Sequence, residues 1–223
     1  MATIVVTGAC SGLGLEISRA LEKDGHEIIP FDIKMGDDVR TADVSAIDRC
    51  DVLINNAGVN LINWLEKVTD DDWDKVMDVN AKGIFKMTQA LLPKLIESKG
   101  TVVNIVSNAA HMPMTCSLAY NASKGAAHIM TLQLARELTR RFGITVFGIA
   151  PNKLGGTGMS DDIDNQVVET RGWTKEEAKT YQLQSLLAGE ETDPKALAGF
   201  LAYLLRTKDN HKYLTGCIMP YGA

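Results

Sequence analysis

Tyr120 and Lys124 stand four residues apart in Tyr120-Asn121-Ala122-Ser123-Lys124. On a helix that spacing puts both side chains on one face. A free phenol titrates near pH 10 and is a poor base at neutral pH. A fixed ammonium beside it favours the phenolate and lowers its pKa, toward the working pH where a general acid/base is most effective. Ser107 lies 13 residues before Tyr120, behind the apolar run Ile105-Val106. It leaves the end of an expected strand, where open α/β sheets place their ligands, and its hydroxyl can hold a substrate oxygen beside Tyr120. Taken singly, a Tyr–Lys pair is ordinarily a surface pair and a serine ordinarily a strand-end cap.

A second cluster suits phosphate. Thr7-Gly8-Ala9-Cys10-Ser11-Gly12-Leu13-Gly14 follows the apolar run at residues 3–7 and opens an amphipathic stretch. Gly8 permits a tight turn, Gly12 lets the backbone approach a pyrophosphate, and Gly14 lets the helix pack close to the sheet. The helix N-terminus adds free N–H groups and a positive dipole end. A lone glycine pattern is as often an ordinary turn, but here strand and helix flank it as binding requires. Asp32 stands 18 residues after Gly14, at the end of the second apolar run. A carboxylate there accepts from adenosine ribose hydroxyls and repels a 2′-phosphate. Ser11 carries no charge to offset that, and Lys34 lies past the acidic position. NAD(H) is therefore favoured over NADP(H). The plainer reading of Asp32 is a turn residue.

The positioning elements follow from the patterning. Short β-branched runs at residues 3–7, 27–32, 51–54, 101–106, 144–149 and 217–219 alternate with helical patterns at 13–24, 70–95, 118–142, 174–187 and 193–205. Thr69 with Asp72 reads as a capping box, and the acidic run 70–72 as a first helical turn rather than a metal site. Continuously apolar strands alternating with helices imply a parallel sheet covered on both faces. The 223 residues are 45% hydrophobic and 23% charged, with net charge −5. That excludes a disordered or fibrous chain and a global basic footprint for nucleic acid. No apolar run reaches the roughly 20 residues needed to cross a bilayer, and the start of the chain does not read as a signal peptide. The cysteines at 10, 50, 116 and 217 form no CxxC pair and no metal-ligand spacing with the four histidines. Reduced thiols in the cytoplasm are expected.

In this combination the residues resemble the short-chain dehydrogenases/reductases over nearly the whole chain. Residues 7–14 match that family's TGxxxGxG, Asn55-Asn56-Ala57-Gly58 its NNAG, Asn80 its helix asparagine, Ser107 its catalytic serine, and residues 120–124 its YxxxK. The resemblance implies a Rossmann-like, doubly wound, mostly parallel seven-stranded α/β sheet in one domain over residues 1–223. A substrate loop and helices would fall at about 152–190. It implies a catalytic set of Asn80, Ser107, Tyr120 and Lys124, with Asn80 anchoring a water that links Lys124 to solvent. Lys124 would also bond the nicotinamide ribose. Gly8, Ala9, Cys10, Ser11 and Leu13 would line the pyrophosphate and adenosine side, with Ile33 next to Asp32. Asp43 and Val44 would lie by the adenine. Asn56, Ala57 and Gly58 would pass under the cofactor, and Pro151, Asn152, Leu154 and Thr157 would reach the nicotinamide end. The expected reaction is hydride transfer between NAD(H) and the carbinol or carbonyl carbon of a small organic molecule, in a homodimer or homotetramer without nucleic-acid or membrane partners. The alternative is a dinucleotide-binding regulator that keeps the fold without catalysis.

Three departures stand out. Only six residues separate Val44 from Asp51, where the family places a full crossover helix, so the crossover between the third and fourth strands should shrink to about one turn. Pro151 is followed by Asn152 instead of glycine, and asparagine can take left-handed backbone angles. The ending Met219-Pro220-Tyr221-Gly222-Ala223 replaces the usual Asp-Gly-Gly. Residues 108–118 and 155–189 should frame the substrate. Asn108, His111 and Met159 are candidate contacts; a purely local role is the plainer reading of His111, and packing is an equal reading of Met112, Met114 and Met159.

Overall fold

The computed structural model describes residues 1–184, 186–206 and 208–222. Ser185, inside the segment expected to be helical to residue 187, and Ala223, at the end of the altered tail, lie outside the described residues. Strands β1 (Thr3–Thr7), β2 (Glu27–Phe31), β3 (Val52–Asn55), β4 (Thr101–Ile105), β5 (Thr145–Pro151) and β6 (Ile218–Tyr221) form a wholly parallel sheet in the order β2-β1-β3-β4-β5-β6. Every residue of β1, β3, β4 and β5 is buried, because both faces are covered. Alternate side chains serve opposite cores. Ile4, Val6 and Ile54 pack with helices α1 (Gly12–Lys23) and α7 (Pro194–Leu205). Val5, Leu53 and Val102 pack with α3 (Gly83–Ser98) and α4 (Leu118–Phe142). From β1 the chain steps outward to β2 and then returns to the other side at β3. The carboxyl ends of β1 and β3 therefore flank a topological switch point, where such sheets bind ligands.

The sheet has one strand fewer than expected. Among the described residues no strand or helix of four or more residues lies between Phe31 and Val52. Residues 36–51 are too few to run out as an edge strand and return as a helix. Instead Val39, Ala42, Ile47 and Cys50 are buried directly on the α3 side of the sheet, with a single turn closed by Ile47 N donating to Val44 O at 3.0 Å. The segment lies so close that a Cβ on Gly83 would sit 2.9 Å from Val39 Cγ2. The abbreviation thus removes a strand as well as the crossover helix, and β2 becomes the sheet edge. An edge tolerates its Pro30.

The segment expected to be one helix over 70–95 is α2 (Asp70–Met77), a π turn at Asp78–Lys82, and α3. Thr69 and Asp72 form the reciprocal capping box. α4 has the expected bounds. The last strand falls one residue later than its pattern suggested, and Pro220 pairs with Ala150 on the opposite edge. Tyr221 stacks on Phe200 with ring centroids 5.3 Å apart, so the altered tail closes on its own domain. Helix α6 (Lys175–Gln184) lies within the expected segment, and α8 (Lys208–His211) is short. Helix α5 (Gly158–Arg171) lies in the region at about 152–190 where the resemblance implied a substrate loop and helices, although the residue pattern did not mark it. It is acidic and buries only Ser160 and Val167, so periodicity is weak. Its Thr157 cap and the left-handed Gly172 after it were the available signals.

Candidate active site

The glycine turn between β1 and α1 is built as its spacing implied. Gly8 and Gly12 take φ of +67° and +53°, angles that only glycine adopts freely. A Cβ on Gly14 would sit 2.1 Å from Gly8 O, which is backbone and cannot yield. Ser11 starts α1 without a side-chain cap, so the first N–H groups have no side-chain acceptor and can take an anion. Asn56 Nδ2 donates to Thr7 O at 2.9 Å and Gly8 O at 3.2 Å. Thr7 Oγ1 accepts from the N–H groups of Asn56 and Ala57 at 2.9 and 3.0 Å. These bonds lace the ends of β1 and β3 together beneath the turn. Thr157, the cap of α5, stands over it: a Cβ on Gly12 would lie 3.7 Å from Thr157 Cβ.

Asp32 is 5% exposed. Its Oδ2 accepts from Cys10 N–H at 2.8 Å and its Oδ1 from Lys34 N–H at 2.9 Å. It therefore caps the turn after β2, as the plainer reading had it, and also joins the glycine turn. A carboxylate accepts about four hydrogen bonds, so two positions remain for ribose hydroxyls. Burial, and next the Asp32 carboxylate, push the Cys10 thiol up. Ile33 is exposed, Val44 half-buried, and the exposed Asp43 turns its carboxylate back to Ser45 N–H at 3.0 Å. Pro151 ends β5, Asn152 N–H donates to Tyr221 O at 3.0 Å, and Leu154 bridges to Thr192. Asn152 is not among the residues with positive φ; Gly156, at +63°, takes that role in this loop.

The π turn carries Asn80, which is 1% exposed. Such bulges rotate side chains out of the regular helical register. Asn80 Oδ1 accepts from Val59 N–H at 2.8 Å, and its Nδ2 donates to Val59 O at 2.9 Å and Ser123 Oγ at 3.0 Å. Lys124, 6% exposed, donates from Nζ to Ile105 O at 3.0 Å, and its Nζ lies 5.8 Å from the Tyr120 ring centroid. The Cβ position of Gly58 falls 3.4 Å from Asn80 Oδ1 and 3.8 Å from Lys124 Nζ. A side chain there would fill the space between amide and ammonium. Ser107 Oγ accepts from Ala109 N–H at 3.1 Å and shares a hydrogen bond with Tyr120. The structure thus brings Asn80, Ser107, Tyr120, Lys124 and Gly58 to one end of the sheet. Three turns and one helix supply them.

The electrostatics differ from the expectation at one point. Tyr120 is raised above its ordinary phenol value, chiefly by burial, and its bond with Ser107 only partly opposes this. Lys124 is lowered to about 8 by burial. With its ammonium 5.8 Å from the ring centroid, Lys124 does not outweigh the desolvation of Tyr120. A lysine whose folded pKa lies below its unfolded 10.5 binds fewer protons folded than unfolded. Its cost is full below pH 8 and fades as pH rises from about 8 to 10.5. Lys124→Met is therefore expected to be more stable than the parent by about 1–2 kcal/mol at pH 7, after the lost bond to Ile105 O is discounted. Denaturant unfolding across that range should show the difference shrinking as pH rises; a constant difference would exclude this account.

Of the expected substrate contacts, Asn108 opens the 3-10 turn after Ser107. His111 is exposed and stands edge-on to His128, ring centroids 4.3 Å apart. Met159 is partly exposed at the start of α5, and Met112 and Met114 are exposed as well. Two residues escaped the sequence reading. Lys153, 11% exposed at its side chain, ties β5 to α5, α6 and the following loop through Asp164, Gln182 and, at 3.1 Å, Glu191. Asn60, two residues past Gly58, has a buried carboxamide. Its place just after NNAG was the only signal. Among the described residues no cluster of three metal-ligating side chains occurs, and no helix is long and apolar enough to cross a membrane.

Residues 28–167 match the short chain dehydrogenase family. The L-2,3-butanediol dehydrogenase of Corynebacterium glutamicum is 30% identical, with 96% of this chain and 95% of that one aligned. A 3-oxoacyl-(acyl-carrier-protein) reductase of Staphylococcus epidermidis is 29% identical over 95% of this chain and 93% of its own. Among solved structures, actinorhodin polyketide ketoreductase with NADPH superposes with a TM-score of 0.86 at 26% identity, covering 98% of this chain and 95% of that one. NAD+-bound xylitol dehydrogenase shares the fold, with a TM-score of 0.89 at 22% identity over 100% and 98% of the two chains. The glycine turn, its uncapped helix and the open face of Gly58 fit a nicotinamide dinucleotide. The chain belongs to the short chain dehydrogenases, oxidoreductases that act on CH–OH or carbonyl groups with NAD(P).

Proposed function

We propose that the protein interconverts a secondary alcohol and a ketone on a small organic substrate, using NAD(H), with Tyr120 as general acid/base. The observation that carries this reading is the meeting of the Tyr120–Ser107 hydrogen bond with Lys124 and Asn80 beside the glycine turn. The nicotinamide would supply the hydride acceptor or donor. Around it, Ser107 holds the substrate oxygen; neutral Tyr120 gives its proton to that oxygen on reduction, and the Tyr120 phenolate takes the proton from it on oxidation. Lys124 bonds the ribose, and Asn80 keeps Val59 and the neighbouring Gly58 in place. Preference for NAD over NADP rests on the buried Asp32 at the adenosine side. The L-2,3-butanediol dehydrogenase and a sorbitol-6-phosphate 2-dehydrogenase of Klebsiella pneumoniae, each 30% identical, support an alcohol–ketone couple.

A panel of ketones and secondary alcohols, read by NADH absorbance, tests the reading. Turnover with NADH is expected; tight NADH binding with no turnover across the panel would favour a dinucleotide-binding regulator. Exposed Phe85 on α3 and Ile129 on α4 support assembly into a homodimer or homotetramer, and the four free thiols support a reducing, cytoplasmic setting.

A further inference from the structure

Lys153 takes no part in the chemistry derived above, yet its side chain is only 11% exposed. A charge taken out of water needs partners to hold it there. An ammonium has three donors, and three acceptors meet this one. They are Asp164 on α5, Gln182 on α6 and, at 3.1 Å, Glu191 Oε1 on the loop that leads to α7. Gln182 Nε2 also donates to Asp164 Oδ1 at 2.8 Å. The ammonium is fully engaged with the protein itself. One positive charge holds two carboxylates from separate parts of the chain.

The cluster sits at the root of a flap. Beyond Pro151 the outgoing chain pairs with the returning chain. Thr192 N–H donates to Lys153 O at 2.9 Å, and Gly155 N–H donates to Thr192 O at 3.0 Å. A Cβ on Gly155 would lie 2.8 Å from Glu191 Oε2, so the two chains touch. A left-handed glycine stands just inside the root on each side, Gly156 at +63° and Gly189 at +68°. Helices α5 and α6 lie between them. The buried apolar residues of these helices, Val167 and Ala178, join Ile62 in a cluster separate from the two main cores. Few buried apolar contacts mean low local stability, so the charged root carries much of the hold. At the near end of α5, Thr157 caps the helix and stands over Gly12 of the glycine turn.

We propose that Lys153 is a positioning residue for the nucleotide: its charge clasps the root of the flap and, through α5, keeps Thr157 over the glycine turn, so that a bound dinucleotide leaves only when the clasp opens. The clasp works by sign. With Lys153 in place, Asp164 and Glu191 are both drawn to one nitrogen. Without it, the two carboxylates are left facing each other and repel, which drives α5 away from the root. The inference goes beyond the hydride-transfer reading. It rests only on a nucleotide seated at the glycine turn, which a dinucleotide-binding regulator would also have.

Stopped-flow release of NADH (or NADPH, if it binds the tighter), read by its fluorescence on the full chain, tests the clasp. Lys153→Met should release the nucleotide at least about tenfold faster than the parent, a loss of hold worth about 1.4 kcal/mol. Glu191→Gln should speed release in the parent, where it removes an attraction. In Lys153→Met the same change should slow release, because there it removes a repulsion. A side chain that only fills space would act with one sign in both backgrounds. A smaller acceleration in Lys153→Met, or one sign in both backgrounds, overturns the proposal. Hydrogen exchange adds a readout that needs no nucleotide. Amides of α5 should exchange at least about tenfold faster in Lys153→Met while those of β4 and β5 keep the parent's rate. Asp164→Asn with Glu191→Gln, which removes both attractions and keeps the lysine, should loosen α5 in the same way and serves if Lys153→Met does not fold. If the parent binds neither NADH nor NADPH, the nucleotide reading fails and exchange alone decides the clasp. Unchanged protection of α5 in these variants overturns it.

Discussion

Tyr120→Phe should lower kcat about 10³-fold or more while NADH binding stays within threefold of the parent. General acid/base groups contribute about 10²–10⁴ in rate, and the phenylalanine keeps the ring that packs beside Lys124. The hydroxyl's hydrogen bond is to Ser107, a residue of the reacting end rather than of the glycine turn, so its loss leaves the nucleotide's anchor points intact. Thermal stability should move little, since the same substitution also relieves a buried hydroxyl. Steady-state rates and NADH fluorescence titration on one preparation check both halves. A rate within tenfold of the parent would remove Tyr120 from the chemistry. The direction of the pKa shift adds a signature. Burial holds Tyr120 protonated above the usual phenol range, so reduction, which needs the phenol, should run on a flat profile through neutral pH. Oxidation needs the phenolate and should climb with pH over the same range.

The site was more legible than the frame around it, for a physical reason. The chemistry demands particular side chains at fixed backbone offsets, so the glycine turn, Asp32, Ser107 and the Tyr120–Lys124 pair could be read from spacing alone, and the structure assembles them. What spacing could not show was competition. Lys124 was expected to lower Tyr120, but only coordinates reveal that its ammonium bonds Ile105 O while the phenol loses solvent. Asn80 stood in the catalytic set only by resemblance; the π turn that directs it inward leaves no pattern in an apolar-polar count. The missing strand follows the same logic. The shortness of residues 36–51 was visible, and so was a shrunken crossover. That the buried side chains of Val39, Ala42, Ile47 and Cys50 would use the whole segment to cover the sheet depends on where α3 lies. Helix α5 left no clear residue pattern because it faces a small separate cluster around Val167 and Ala178 instead of the main core, and such a contact needs only a narrow apolar stripe.

Asp32→Asn and Asp32→Ser should reverse the nucleotide preference, with the NADH-to-NADPH affinity ratio falling about 10³-fold. Two effects add. The buried carboxylate has acceptor capacity left beyond its bonds to Cys10 and Lys34 N–H groups, and hydrogen bonds from ribose hydroxyls to a charged acceptor are worth about 1.5–3 kcal/mol. Losing them weakens NADH. For NADPH the sign is opposite, because a 2′-phosphate brought to roughly 5 Å from a carboxylate meets a repulsion of about 3 kcal/mol at an effective dielectric near 20. Removing the charge lifts that penalty and leaves Lys34 nearby to attract the phosphate. The substitution also has a structural cost, since Asp32 is the acceptor that joins the glycine turn to the end of β2. Asparagine keeps one of the two backbone bonds and serine at most one, so both variants should melt lower, by about 1–2 kcal/mol of stability. That loss affects both nucleotides alike and cancels in the ratio. A parent enzyme that already prefers NADPH, or an Asp32→Asn variant whose ratio is unchanged while its melting point falls, would leave Asp32 as a brace for the turn and nothing more.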